Sequence, residues 1–141
     1  MKAYSTSINI VAPADAVWRI LTDVGSWPEW DPGTVRIEGT IGLGEKVTAY
    51  SALSPDRAFP VKVTSLSPNQ AMVWTGGMPL GLFKGVRTFK LAPKQDGTTD
   101  FEMREEFSGL LFPLMAGTLP DLTETFKTFA RGLKQRAEGT S

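Results

Sequence analysis

Histidine and cysteine are both absent from the 141 residues. Without cysteine there is no disulfide and no thiolate nucleophile. Without histidine there is no Ser-His or Cys-His pair. Zinc sites built on either ligand are excluded as well. A surplus of charge is also missing, with 15 Lys+Arg against 15 Asp+Glu. Chains that hold nucleic acid through its phosphates normally carry a basic excess, so no nucleic-acid partner is expected. No apolar run approaches the roughly 20 residues of a membrane span. Met1-Lys2-Ala3-Tyr4 opens no apolar signal core, which makes the cytoplasm the expected compartment. What is present is enough to bury a core: 41% of residues are hydrophobic, and the length suits a single domain over 1–141.

Hydrophobic spacing sets out the elements. Tyr4, Thr6, Ile8 and Ile10 alternate with Ser5, Ser7 and Asn9, the period of a half-buried strand. Ala12-Pro13 stops that strand. Val17, Ile20, Leu21 and Val24 then fall at helical spacing, which predicts a short helix over 13–22. Asp23 is placed to cap a second short helix through Gly25-Ser26-Trp27, and Pro28 and Pro32 bracket Trp30. Six strand segments follow: 35–38, 45–51, 59–66, 71–75, 82–91 and 98–107. Gly39, Gly42 and Gly44, then Ser54-Pro55-Asp56, then Ser67-Pro68-Asn69 mark the turns, and Pro93 to Gly97 closes the last hairpin. Consecutive strands with short connections predict an antiparallel sheet. Met115, Leu119, Leu122, Phe126, Phe129 and Leu133 recur at alternating steps of four and three, one apolar stripe along a long final helix. Thr118 and Asp121 have the spacing of a capping box near its start, with Gly117 and Pro120 beside them.

The order is strand, two short helices, six strands, long helix. The apolar face of the sheet needs cover, and the last helix is the only element long enough to give it. A curved seven-stranded antiparallel sheet around one helix leaves a cavity between the two. The fold class is therefore α+β. Ile8-Asn9-Ile10-Val11-Ala12-Pro13-Ala14-Asp15-Ala16-Val17-Trp18, then Trp27-Pro28-Glu29-Trp30-Asp31-Pro32, the Gly97-Thr98-Thr99 turn and the final helix resemble the START-like (SRPBCC) superfamily. The resemblance covers nearly the whole chain. It implies the helix-grip fold, with polyketide cyclases and lipid-transfer domains among its members. Fold alone does not select one activity.

Candidate site residues come from strand phase. Thr99, Phe101, Met103, Glu105 and Phe107 share one face of their strand, and Asp100, Glu102, Arg104 and Glu106 share the other. Glu105 is thus an acid on an apolar face. Phe83, Gly85, Arg87, Phe89 and Leu91 share a face of the partner strand, and the hairpin register brings Arg87 within about one pair of Glu105. Three readings stay open. The pair neutralises itself and is structural, or one partner holds a polar ligand head, or Glu105 is a general acid or base. The cavity walls expected beside Arg87 and Glu105 are Trp74, Phe89, Phe101, Met103, Leu122, Phe126 and Phe129. Gly76-Gly77-Met78-Pro79-Leu80-Gly81-Leu82-Phe83 is apolar, uncharged and glycine-rich. It reads either as a lid rimmed by Gly76, Gly77, Met78, Leu80 and Phe83, or as a loop packed near Phe112-Pro113-Leu114. Glu102, Glu105 and Glu106 alternate faces, and Glu29 with Asp31 lacks a third ligand, so no metal site and no cofactor is expected.

These residues lead to a hydrophobic or aromatic small molecule, lipid or polyketide-like, bound between sheet and helix. The alternatives are a cyclase/dehydrase-like enzyme working through a carboxylate, as the resemblance implies, and a protein-interaction module. The expected assembly is a monomer or a weak homodimer, formed in the latter case through the 76–83 loop.

Overall fold

The computed structural model describes residues 2–115 and 121–139, less the side chains of Met78, Pro79 and Met115. Seven strands form one antiparallel sheet: β1 (Lys2–Ile10), β2 (Thr34–Glu38), β3 (Lys46–Ser51), β4 (Ser54–Ser67), β5 (Ala71–Met78), β6 (Phe83–Pro93) and β7 (Thr99–Ser108). Their order is β1-β7-β6-β5-β4-β3-β2, so β2 to β7 run as a meander and β1 pairs with β7. Between β1 and β2 lie α1 (Ala14–Thr22) and a 3-10 helix (Val24–Glu29). After β7 come α2 (Phe112–Met115) and α3 (Thr123–Ala137). The sheet curls into a half-barrel with α3 against its inner face, the helix-grip form of an α+β fold.

Apolar burial explains this arrangement. Val17 and Leu21 of α1, Trp27 of the 3-10 helix, and Phe126, Phe129, Ala130 and Leu133 of α3 are all buried against the inward side chains of β4 to β7. Trp27 and Trp74 stack with ring centroids 5.3 Å apart, and Phe129 meets Trp27 edge-on at 4.8 Å. Gly132 lets α3 come this close: a Cβ there would stand 2.1 Å from the Trp30 carbonyl oxygen. At its far end α3 is tied to β1. The Lys134 ammonium donates to the Asn9 carbonyl at 2.9 Å and pairs with Glu138, whose Oε2 also accepts the Val11 N–H at 2.9 Å. The bond from Lys134, and then that from Val11, hold the Glu138 carboxyl below its ordinary value. At the same end of β1, the fully buried Thr99 hydroxyl donates to the Ala12 carbonyl at 2.8 Å, since a buried hydroxyl needs a partner.

Several local expectations need correction. Gly76, Gly77 and Met78 do not begin a loop. They extend β5 and pair with Gly85, Lys84 and Phe83 of β6, which leaves only a tight turn over Pro79–Gly81. Glycines carry no side-chain alternation that would mark a strand, whereas the backbone ladder needs none. Ser54-Pro55-Asp56 is likewise strand rather than loop. The ladder steps from Ser51↔Ser54 to Ala49↔Phe59, so 55–58 bulge out opposite Tyr50. Asp23 does not cap a backbone N–H; its carboxylate accepts the Ser26 hydroxyl at 2.8 Å. The long helix begins at Thr123, with the Asp121 carboxylate accepting the Thr123 N–H at 2.9 Å. Met115 belongs instead to the separate one-turn α2. Gly117, Thr118, Leu119 and Pro120 lie outside the described residues.

Candidate functional site

Transverse rows on the inner face of the sheet order the site. One row runs Val63, Trp74, Arg87, Glu105, Tyr4 across β4, β5, β6, β7 and β1. The next row towards the Pro79–Gly81 turn runs Val61, Gly76, Gly85, Phe107, Lys2. Four neighbouring positions of the first row, from Trp74 to Tyr4, are polar or carry a polar handle. The second row has two adjacent positions with no side chain at all.

Arg87 and Glu105 are direct cross-strand partners, and Arg87 Nη2 donates to Glu105 Oε1 at 2.9 Å. The pair is mostly buried, with 25% and 15% of the two side chains exposed. The guanidinium carbon sits 5.0 Å from the Phe126 ring centroid, a cation–π contact that helps seat it in apolar surroundings. Two donors in this row have no hydrogen-bond partner among the described residues: the buried Nε of Arg87 and the indole Nε1 of Trp74. A buried donor left unpaired costs about 1–3 kcal/mol. Trp27, by contrast, donates its indole N–H to the Leu21 carbonyl at 3.1 Å. Glu105 Oε2 takes no bond from a described residue and lies 3.8 Å from where a Cβ on Gly85 would stand. Phe107 flanks the same glycine and stacks on Phe83, centroids 6.0 Å apart.

The sequence-derived wall residues divide into two groups. Trp74, Phe89, Phe101, Met103 and Phe129 are buried in the central cluster, where Phe89 meets Trp74 at 4.9 Å and Phe101 meets Phe129 at 6.1 Å. Phe126 and the half-buried Leu122 lie at the Arg87 end of α3. Of the lid residues, Leu80 is 91% exposed at the turn and Phe83 packs on Phe107, while the Met78 side chain lies outside the described part. Two contributors were missed. Tyr4 extends the polar row and meets Phe107 and Phe126 edge-on, each at 6.3 Å. Gly85 bares the backbone beside Glu105. Tyr4 could be found only from the β1–β7 pairing, which joins residues about a hundred positions apart.

No group of three acidic, histidine or cysteine side chains able to hold a metal occurs among the described residues. No helix among them is long and apolar enough to cross a membrane. A groove of about 470 Å³ lies on the outer face, lined by Ser7, Asn9, Lys90, Asp100 and Glu102 among others, away from the Arg87–Glu105 pair.

Solved structures share this fold at low identity. A START superfamily protein from Mycobacterium smegmatis has a TM-score of 0.73 at 16% identity, covering 99% of each chain. A hypothetical protein from Helicobacter pylori has a TM-score of 0.78 at 11% identity, covering 96% of this chain and 88% of its own. The Zhui aromatase/cyclase from a Streptomyces species has a TM-score of 0.70 at 14% identity, covering 97% and 93%. No curated protein matches the sequence. The family model described as polyketide cyclase / dehydrase and lipid transport matches residues 1–138, so the chain belongs to that family.

Proposed function

We propose that the protein binds a hydrophobic or aromatic small molecule, lipid or polyketide-like, on the inner face of the sheet beside Arg87 and Glu105. The observation that carries this reading is the pair of orphan donors, Trp74 Nε1 and Arg87 Nε, in the row next to the bare Gly76–Gly85 backbone. A ligand with an apolar body and a carbonyl or carboxylate oxygen satisfies those donors and covers Gly85, Phe107 and Phe83. Small-molecule sites combine largely apolar walls with a few placed polar groups in this way. The test is an amide NMR titration against fatty acids, sterols, flavonoids and aromatic polyketides. Saturable shifts centred on Trp74, Gly85, Arg87 and Glu105 are expected. Shifts confined to other surfaces, or a silent panel, would remove the reading.

A cyclase/dehydrase-like reaction is the second reading, and the unbonded Glu105 Oε2 favours it. An oxygen that accepts no hydrogen bond from a described residue is free to take a proton from a carbon beside a ligand carbonyl. Arg87, held on the other oxygen, would fix the carboxylate. Under this reading Glu105→Gln keeps ligand binding and loses turnover on a poly-β-ketone substrate by about 100-fold or more. Unchanged turnover in that variant would eliminate Glu105 as the base.

A further inference from the structure

A second concavity, of about 760 Å³, lies across β4 to β6 near the turn that joins β5 to β6, lined by outward residues together with Val61, Gly76 and Phe83. Lys46, Lys62 and Lys84 line it, and no acidic side chain does. All three are exposed, and none of their side chains forms an ion pair or hydrogen bond with a described residue. Lys46 and Lys62 are direct cross-strand partners. Like charges directly opposite each other destabilise a sheet. This chain has equal numbers of acids and bases, so the cluster is a local surplus and not an overflow of a basic protein.

The groove runs to Gly81, and around that glycine leucines protrude. Leu80 is 91% exposed, Leu110 78% and Leu114 80%. The Leu110 N–H donates to the Gly81 carbonyl at 3.1 Å, which holds Leu110 beside the turn. Leu114 follows one helical turn later. Leu80 has φ of 62°, a left-handed backbone that a leucine adopts only at a cost. Glycine or asparagine suits that position better, so local folding does not account for the leucine.

We infer that this end of the molecule docks on an anionic phospholipid bilayer, with the three lysines on lipid headgroups and the leucines entering the acyl boundary. Charge complementarity selects this occupant. A two-fold contact with a second copy would set the lysine cluster against the same patch. Separate protruding leucines beside bases match the make-up of interfacial membrane-binding segments. The surface lies at the end of the sheet that also carries Gly85 and Phe107, but the inference stands whether or not the inner site is occupied.

The test is co-sedimentation with vesicles of phosphatidylcholine alone and of phosphatidylcholine with 30% phosphatidylserine, the latter expressed as roughly the anionic share that gives a cytoplasmic-type surface potential. Binding is expected only to the anionic vesicles, falling as salt rises. Each of Lys46→Gln, Lys62→Gln and Lys84→Gln should weaken it by about fivefold. Leu80→Asn should weaken it by about tenfold while leaving the thermal midpoint unchanged or higher, because asparagine tolerates the left-handed backbone. That opposite movement of binding and stability separates docking from misfolding. Equal binding to neutral vesicles, no binding to either, or indifference to all four substitutions would overturn the inference. So would a dimer, or a complex with an acidic protein, that uses this surface in the absence of vesicle binding.

Discussion

The Arg87–Glu105 pair does two things that ordinary stability measurements can separate. Removing one partner leaves a mostly buried charge without its counter-ion, so Arg87→Met or Glu105→Leu alone should cost about 2–3 kcal/mol, below the fully buried range because both side chains keep some solvent. The double variant should cost well under the sum, with a coupling of about 1 kcal/mol or more in urea denaturation. A double variant that folds normally, still binds ligand and keeps any turnover would leave the pair with a structural role alone. The residues themselves were legible from strand phase. Alternation along 99–107 placed Glu105 inward, and the Gln95-Asp96 turn set the register that the 2.9 Å bond bears out. The orphan donors were not legible, because whether an indole or guanidinium N–H finds a partner depends on packing from four strands and a helix.

Among the elements, α3 is positioned by one glycine. Alanine at 132 would favour the helix by about 1 kcal/mol through propensity. Its Cβ would, however, meet the Trp30 carbonyl oxygen at 2.1 Å, and backbone cannot rotate aside. The clash should win, and Gly132→Ala should lower unfolding free energy by about 2–3 kcal/mol, read as an earlier urea midpoint. Tryptophan fluorescence should shift as well, since Trp30 and Phe129 lie at the same contact, 5.0 Å between centroids. A variant as stable as the parent would show that α3 can slide on the 3-10 helix. The periodic stripe makes this helix readable, yet it also takes in Met115, which belongs to α2. Spacing cannot register where a chain leaves helical geometry between two apolar turns. The same limit applies to β5, whose glycines show no strand pattern although its cross-strand bonds to β6 use only backbone.

At the scale of the whole molecule, acid should loosen the join between α3 and β1. Glu138 has a folded value below its ordinary 4.5, so its contribution is present above pH 4.5 and fades as pH falls through the depressed folded value. Asp100, held down first by Asn9 and then by Lys94, adds a second loss with the same sign across β1 and β7. Thermal midpoints should therefore decline below about pH 4.5, and Glu138→Gln should flatten part of that decline while lowering the midpoint at pH 7. A pH profile identical in parent and variant would exclude this carboxylate. The pairing of β1 with β7 has another consequence, during synthesis. Ile10 and its partner Thr99 are separated by 89 residues, a stretch that takes a ribosome about 5–20 s to add at ordinary elongation rates. Once it emerges, the first strand waits with an apolar face and without β7 to hydrogen-bond. The fold cannot be assembled from its beginning; it waits for its seventh strand, and a nascent chain stalled before residue 99 should be a client for chaperones.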